Sequence, residues 1–296
     1  MTEQPEQQPC ERSPALRNVR GLLREVFSEI EAACGDVLTP HDLGTGLEVL
    51  DECGVSLKTG SVFVIASRPG VGKTTMAVQL AHRLLTHDYP VLWISSRSPA
   101  RDVIHRLLSA ESGEEPRCIA RGEFSEVGWA NVIKAAGAIS EQDLVIADQM
   151  VWQLPDVLSL IEQDRGERRT RMVVIDSLDL IRSTRDLTHE DEVEEVLRGL
   201  ARAAREHDTT IVLTTNLTRF AQGSAPTLED VRFSHHLERY VGTILLMHRE
   251  PEPHVPEVLV RDTRVVVAHD NAGARGSVRL VLRPEQQRFE PLTWLR

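Results

Sequence analysis

The sequence has no Cys-x-x-Cys pair, no apolar run of membrane-spanning length and no excess of positive charge. Its four cysteines, Cys10, Cys34, Cys53 and Cys118, lie far apart. That spacing argues against a zinc site or a disulfide framework and reads as reduced thiols. No run approaches the roughly 20 apolar residues of a membrane helix. The opening "MTEQPEQQPCERSP" is polar and lacks the apolar core of a secretory signal. The expectation is a cytoplasmic protein with no membrane partner. His235 and His236 have no further ligand at metal-binding spacing and read as solvated loop histidines. A net charge of −11 argues against a protein whose whole surface grips nucleic acid. It leaves room for a small basic channel.

One more absence is local. The stretch "VFVIASRPGVGKTTMAVQLA", residues 62–81, has the Gly-Lys-Thr of a phosphate-binding loop at Gly72, Lys73 and Thr74. The usual opening glycine is missing, and Ser67 stands there. The surroundings still favour a site. Residues 62–66 are apolar and rich in β-branched side chains, the pattern of a buried parallel strand. From Thr75 to Leu85 the apolar residues fall at helical spacing. The loop between them sits at a helix N-terminus, where backbone N–H groups and the helix dipole favour phosphate. The candidate phosphate-binding residues are Ser67, Arg68, Pro69, Gly70, Val71, Gly72, Lys73, Thr74 and Thr75. Gly70 and Gly72 let the backbone curl, Lys73 supplies a charge for the β/γ-phosphates, and the Thr74 hydroxyl suits a Mg²⁺ shell.

At 296 residues the chain has room for one large α/β domain or two small ones. Residues 1–13 are polar and proline-bearing, and read as disordered. Residues 14–34 follow as an amphipathic helix, with Ser13 as cap and Pro14 at the first helical position. Its apolar face, including Leu23, Phe27 and Ile30, packs either on its own domain or on a neighbouring subunit. Residues 14–42 together read as a linker-like helix and connection. Strand patterns recur at 62–66, 91–95, 144–147, 172–176, 210–215, 243–247, 264–268 and 277–282. Residues 190–207 form the clearest helix, acidic at its start and basic at its end. Strands alternating with helices predict a mainly parallel sheet wrapped by helices. The closing strands lack intervening helices and predict an antiparallel edge.

The stretch "RMVVIDSLDLI" supplies the second half of a nucleotide site. Asp176 closes an apolar strand about a hundred residues after the loop, where such enzymes hold their Mg²⁺ shell. With "VLTTNLTR", "LEDVRFSHHLERYVGTILLMHRE" and "VVVAHDNAGARGSVRLVLRPEQQRFEPL", these motifs run in order over residues 43–292. The chain thereby resembles the C-terminal ATPase domain of DnaB-type replicative DNA helicases. The resemblance implies a RecA-like fold over 43–296, with ATP and Mg²⁺ as cofactors. It implies a small residue at the loop's opening position, which Ser67 satisfies. It places Asn216, shortened from the usual Gln, where a polar amide senses the γ-phosphate; Lys73 and Asp176 complete the catalytic set. It also implies a hexameric ring that unwinds DNA 5′-to-3′. Arg219, Arg232 and Arg239 are the candidates for facing single-stranded DNA; ordinary solvated arginines are the alternative.

Three positions depart from that family. The glutamate that activates water is replaced by Arg97, which cannot accept a proton at neutral pH. His269 and Asn271 hold the places of the lysine and arginine that reach a neighbour's γ-phosphate, and Arg275 lies close by out of register. A lost general base costs about 10²–10⁴ in rate and a lost arginine finger about 10³–10⁵. The expectation is an ATP-binding helicase-family protein in DNA replication or DNA handling, with reduced hydrolysis. Asp179 and Glu111 are the candidate replacement bases. The alternative is a nucleotide-gated assembly or adaptor protein that scarcely hydrolyses ATP. A RecA-like ATPase of the circadian or recombination type would need a glutamate after the second strand, and none is found there.

Overall fold

In the computed structural model, the described residues are 42–96, 98–217, 225–249 and 262–292, together with 19, 23, 24, 26 and 27. Residues 1–41 and 42–296 form separate units. In the first, Val19, Leu23, Val26 and Phe27 are helical and exposed, Val19 by 70% and Phe27 by 60%. Ile30, Ser13 and Pro14 lie outside the described residues.

The strands of the second unit are, in chain order, β1 (Asp42–Gly44), β2 (Ser56–Lys58), β3 (Val62–Ser67), β4 (Val91–Ser95), β5 (Leu144–Asp148), β6 (Trp152–Gln153), β7 (Met172–Asp176), β8 (Ile181–Arg182), β9 (Thr210–Asn216), β10 (Thr243–Arg249), β11 (Asp262–Asp270), β12 (Gly276–Arg283) and β13 (Arg288–Pro291). Nine of them make one sheet in the order β13-β12-β11-β10-β3-β9-β7-β4-β5. From β10 to β5 all neighbours run parallel. Past β10 the sheet turns antiparallel through β11, β12 and β13. The predicted α/β class and its antiparallel edge are both present.

Burial explains this order. β3, β4 and β7 are buried at every position, as parallel strands covered on both faces must be. One side is covered by the helix Lys73–Leu85, which buries Met76, Ala77, Val78, Leu80 and Leu84. The apolar cluster on Val64, Leu92 and Val173 takes in Val157 and Ile161 of helix Leu154–Arg168 and Val196, Leu197 and Leu200 of helix His189–His207. Acids fill the first turn of that last helix, as the sequence predicts, and the Thr188 side chain caps it by accepting a hydrogen bond from the Asp191 N–H. The alternating helices bring the carboxyl ends of six parallel strands to one edge. Ser67, Ser95, Asp148, Asp176, Asn216 and Arg249 stand there, where a sheet of this kind opens a binding crevice.

The segment before β3 contains a short hairpin, β1 with β2. One sequence expectation needs correction. His235 and His236 are not loop residues: they lie on the helix Ser234–Tyr240, and His236 is buried. That helix is only seven residues long, too short for a periodic apolar face to reveal it. No helix among the described residues is long and apolar enough to cross a membrane. Cys53 and Cys118 are free thiols.

Candidate functional site

The phosphate loop connects β3 to the helix Lys73–Leu85. Ser67 is the last residue of β3 and fully buried. Its backbone is extended strand, so this turn needs no glycine at its opening. The Ser67 hydroxyl donates to the Arg68 carbonyl at 2.8 Å. Lys73 Nζ donates to the Ser67 carbonyl at 3.1 Å, the Arg68 carbonyl at 3.2 Å and the Ser67 hydroxyl at 3.3 Å. The ammonium is thus held in the mouth of the loop. Gly72 is required twice over. Its φ is +120°, and a Cβ there would sit 2.7 Å from Cζ of Phe289. Gly70 also has a positive φ, +82°, with open space around it.

Asp176 ends β7 and is buried. Thr74 Oγ1 donates to its Oδ2 at 2.9 Å, and Thr214 Oγ1 donates to its Oδ1 at 2.5 Å. A hydroxyl and a carboxylate meeting beside Lys73 form the hard oxygen set that suits Mg²⁺, with water completing the shell. Next to it, Asn216 Nδ2 donates to Asp179 Oδ2 at 2.6 Å, and Thr215 Oγ1 donates to Asp179 Oδ1 at 2.9 Å. The end of the Asn216 amide able to donate to phosphate thus already serves Asp179, with its second hydrogen still available. Of the two candidate replacement bases, the fold brings Asp179 to this cluster. Glu111 instead pairs with His82 at 2.7 Å, bridging the helices Ala100–Ser112 and Lys73–Leu85.

The loop floors a cavity of about 340 Å³ that reaches Asp176, Asn216, Arg106 and Arg249. It adjoins a larger one of about 700 Å³ along His105, Arg106, Arg117 and Gln287. Arg249, Arg106 and Gln287 were not among the sequence candidates, nor was Phe289 beside the loop. Arg249, closing β10, donates to the Gly70 carbonyl at 2.6 Å. Arg106 donates to Gln287 Oε1 at 2.6 Å, and Thr75 Oγ1 reaches the same oxygen at 3.4 Å. Phe289 is buried over Gly72, and its backbone is gripped by Gln79 through two hydrogen bonds, 2.7 and 3.0 Å. The closing Arg-Phe-Glu of the sequence therefore braces the phosphate loop. Arg249 lay beyond the strand predicted at 243–247, which runs on to include it.

The remaining sequence candidates are dispersed. Arg97 and Arg219 lie outside the described residues. Position 97 follows β4, whose Ser95 is in register with Asp176. His269 and Asn271 lie at the far end of β11, hydrogen-bonded to each other at 3.1 Å. In register, His269 pairs with Ile244 and Ile244 with Val64, at the opposite end of β3 from the loop. Neither can reach the phosphate loop of its own chain. Arg275 is exposed in the turn that follows. Arg232 lies over the Phe233 ring at 5.0 Å. Arg239 lies over Tyr240 and pairs with Glu194 at 3.4 Å. The Tyr240 hydroxyl, bonded to Glu194 at 2.8 Å, holds that carboxyl below its ordinary range.

Comparison with known proteins agrees with this architecture. The family model described as DnaB-like helicase C terminal domain matches residues 42–291. The replicative DNA helicase DnaB of Leifsonia xyli subsp. xyli (strain CTCB07) is 26% identical over 268 residues, covering 89% of this chain and 59% of the relative. That of Geobacillus stearothermophilus is 24% identical over 283 residues, covering 94% of this chain and 62% of the relative. The chain spans about three-fifths of the length of these relatives. Among solved structures, the ATPase domain of G40P superposes with a TM-score of 0.80 at 26% identity, covering 93% of this chain and 99% of that one. A DnaB-like replicative helicase, solved in a study of its interactions with primase, superposes with a TM-score of 0.78 at 26% identity, covering 94% of this chain and 68% of that one.

Proposed function

The chain belongs to the family of DnaB-like helicase C-terminal domains, and from that premise we propose that it binds ATP with Mg²⁺ in the cleft between Lys73 and Asp176 and hydrolyses it slowly. One observation carries the reading. Lys73, the Thr74 hydroxyl and the Asp176 carboxylate meet at the mouth of a glycine-shaped loop on a helix N-terminus. Mg²⁺, when bound, neutralises charge developing on the phosphates. The chain's own residues do the rest. Loop N–H groups and Lys73 hold the β/γ-phosphates, Thr74 and Asp176 hold the ion's shell, and Asn216 donates to the terminal phosphate. Arg249 and Arg106 stand at the same cleft as fixed cations.

Slow hydrolysis follows from what occupies three positions. Arg97 stands where the resemblance places a water-activating glutamate, and a guanidinium pairs with phosphate without taking a proton. His269 and Asn271 stand where trans-acting cations belong. Asp179 is the acid available near Asn216, and both its oxygens already accept hydrogen bonds.

The proposed assembly is a ring of identical chains, hexameric by family resemblance, acting on single-stranded DNA in replication or DNA handling. Exposed apolar side chains on two helices support a second copy as partner. Val19, Leu23, Val26 and Phe27 are exposed in the N-terminal unit. On the helix Glu126–Ser140, Val127, Trp129 (55%) and Ile133 are exposed. The far-end placement of His269 and Asn271 supports the same arrangement, because they stand away from the phosphate loop of their own chain. The adaptor reading keeps the binding site and the ring and drops the turnover; Arg97 is the residue that favours it.

Lys73→Ala tests the site. A hydrogen bond from a charged group contributes roughly 1.5–3 kcal/mol, so ATP–Mg²⁺ affinity should fall about 10- to 150-fold while the fold persists. Equal binding by parent and variant would remove the site assignment.

A further inference from the structure

Away from the nucleotide cleft, the described residues hold one group of histidines and carboxylates whose ligand atoms converge. It consists of Glu190, His235 and His236, with those atoms all within 4.8 Å of one another. Two elements bring them together. Glu190 is in the first turn of the helix His189–His207, and the histidines are on the helix Ser234–Tyr240. Phe233 turns the chain into that second helix with a left-handed φ of +57°. Its ring packs edge-on against His189 at 5.3 Å and against His236 at 6.5 Å. The two imidazoles then lie side by side, centroids 3.9 Å apart.

Both rings point Nε2 at one carboxylate. His235 Nε2 is 3.1 Å from Glu190 Oε1, and His236 Nε2 is 3.6 Å from the same atom. Ligands placed tetrahedrally at 2.0–2.1 Å from a zinc ion stand about 3.3–3.4 Å apart. The two spacings bracket that value. A plain histidine–glutamate hydrogen bond accounts for His235. It does not account for His236, whose residue is only 9% exposed and whose Nε2 is buried with no hydrogen-bond partner. A buried ring nitrogen of that kind calls for a partner, and 3.6 Å is too long for a hydrogen bond to supply it.

The other nitrogen of His236, Nδ1, faces Glu194 Oε2 at 3.8 Å, beyond direct hydrogen-bond length. Glu194 is fixed by the Tyr240 hydroxyl at 2.8 Å and Arg239 at 3.4 Å. A carboxylate on the far side of a metal-bound imidazole is a common outer-shell support, and Glu194 stands on that side of His236.

We propose that Glu190, His235 and His236 bind a divalent transition-metal ion of the zinc class, through one carboxylate oxygen and the two Nε2 atoms, with water as the fourth ligand. Two imidazoles and a carboxylate suit Zn²⁺ and Co²⁺, whereas Mg²⁺ prefers oxygen alone. The ion joins the helix before β9 to the segment carrying Arg232 and Arg239. It is independent of the nucleotide site.

Cobalt(II) titration of the full-length, chelator-stripped protein tests this, read by visible d–d absorption and by thermal melting. The expected result is one equivalent bound with the intense spectrum of a four-coordinate site, and a melting midpoint that rises with the metal. Glu190→Gln and His235→Ala change exposed side chains, so each variant should fold, bind at least about 100-fold more weakly and lose the midpoint shift. Glu194→Gln should weaken binding about 10- to 100-fold. Absence of a four-coordinate spectrum in the parent would overturn the proposal. So would binding that survives Glu190→Gln, or thiolate bands showing that Cys53 or Cys118 holds the ion.

Discussion

At the scale of single residues, the nucleotide cleft divides by sequence distance. Lys73 and Thr74 are readable from seven neighbouring residues, and Asp176 from the apolar strand it closes. Their chemistry is local, so the pattern carries it. Thr214 on Asp176, Asn216 on Asp179 and Arg249 on Gly70 depend on which strands become neighbours. Thr75 meets Gln287 across 212 residues of sequence. No local pattern announces such contacts. Ser67 shows the opposite error: it looks like a defect in the motif, yet its backbone is ordinary strand and its hydroxyl helps seat Lys73. Gly72 is where the loop tolerates no side chain. We predict that Gly72→Ala lowers stability by roughly 1–3 kcal/mol, the scale of a strained backbone position, and weakens ATP binding. Calorimetric melting and nucleotide titration check this. An unchanged melting midpoint would mean that neither φ nor the Phe289 contact constrains the loop.

At the scale of elements, the parallel strands were legible because burial on both faces gives unbroken apolar runs. β3, β4, β7 and β9 each fall within two residues of their predicted bounds. The short β1–β2 hairpin and the helix Ser234–Tyr240 were not legible, because three to seven residues cannot display a period. The histidine pair was misread for that reason. The closing antiparallel strands were legible from their pattern, but the role of the segment after them emerged only from Phe289. That ring is buried against Gly72 while Gln79 holds its backbone. Phe289→Ala should cost about 3–5 kcal/mol, as for other buried aromatics, and should loosen ATP binding by freeing the loop. Chemical denaturation and nucleotide titration read the two effects. Lost stability with unchanged ATP affinity would separate the hairpin from the site.

At the scale of the whole molecule, the account rests on a chain that leaves apolar surface uncovered and sets His269 and Asn271 out of reach of its own loop. Burying a leucine or phenylalanine contributes roughly 1.5–3 kcal/mol, so Leu23 and Phe27 together can hold a subunit contact. Removing residues 1–35 should leave a folded, ATP-binding monomer, measured by light scattering and melting. A truncated chain that precipitates or melts earlier would show the same face packing within its own chain. With a net charge of −11, the proposed DNA contact rests on a few arginines rather than on the whole surface. The most direct test of the central claim is a single-turnover experiment with labelled ATP, Mg²⁺ and single-stranded DNA, following bound nucleotide and released phosphate together. The account predicts one ATP held per chain and phosphate release about 10²–10⁵-fold below that of a helicase with its base and finger intact. It also predicts faster release once Arg97→Glu, His269→Lys and Asn271→Arg are combined. Failure to hold ATP, or release by the parent at ordinary helicase rates, would contradict it.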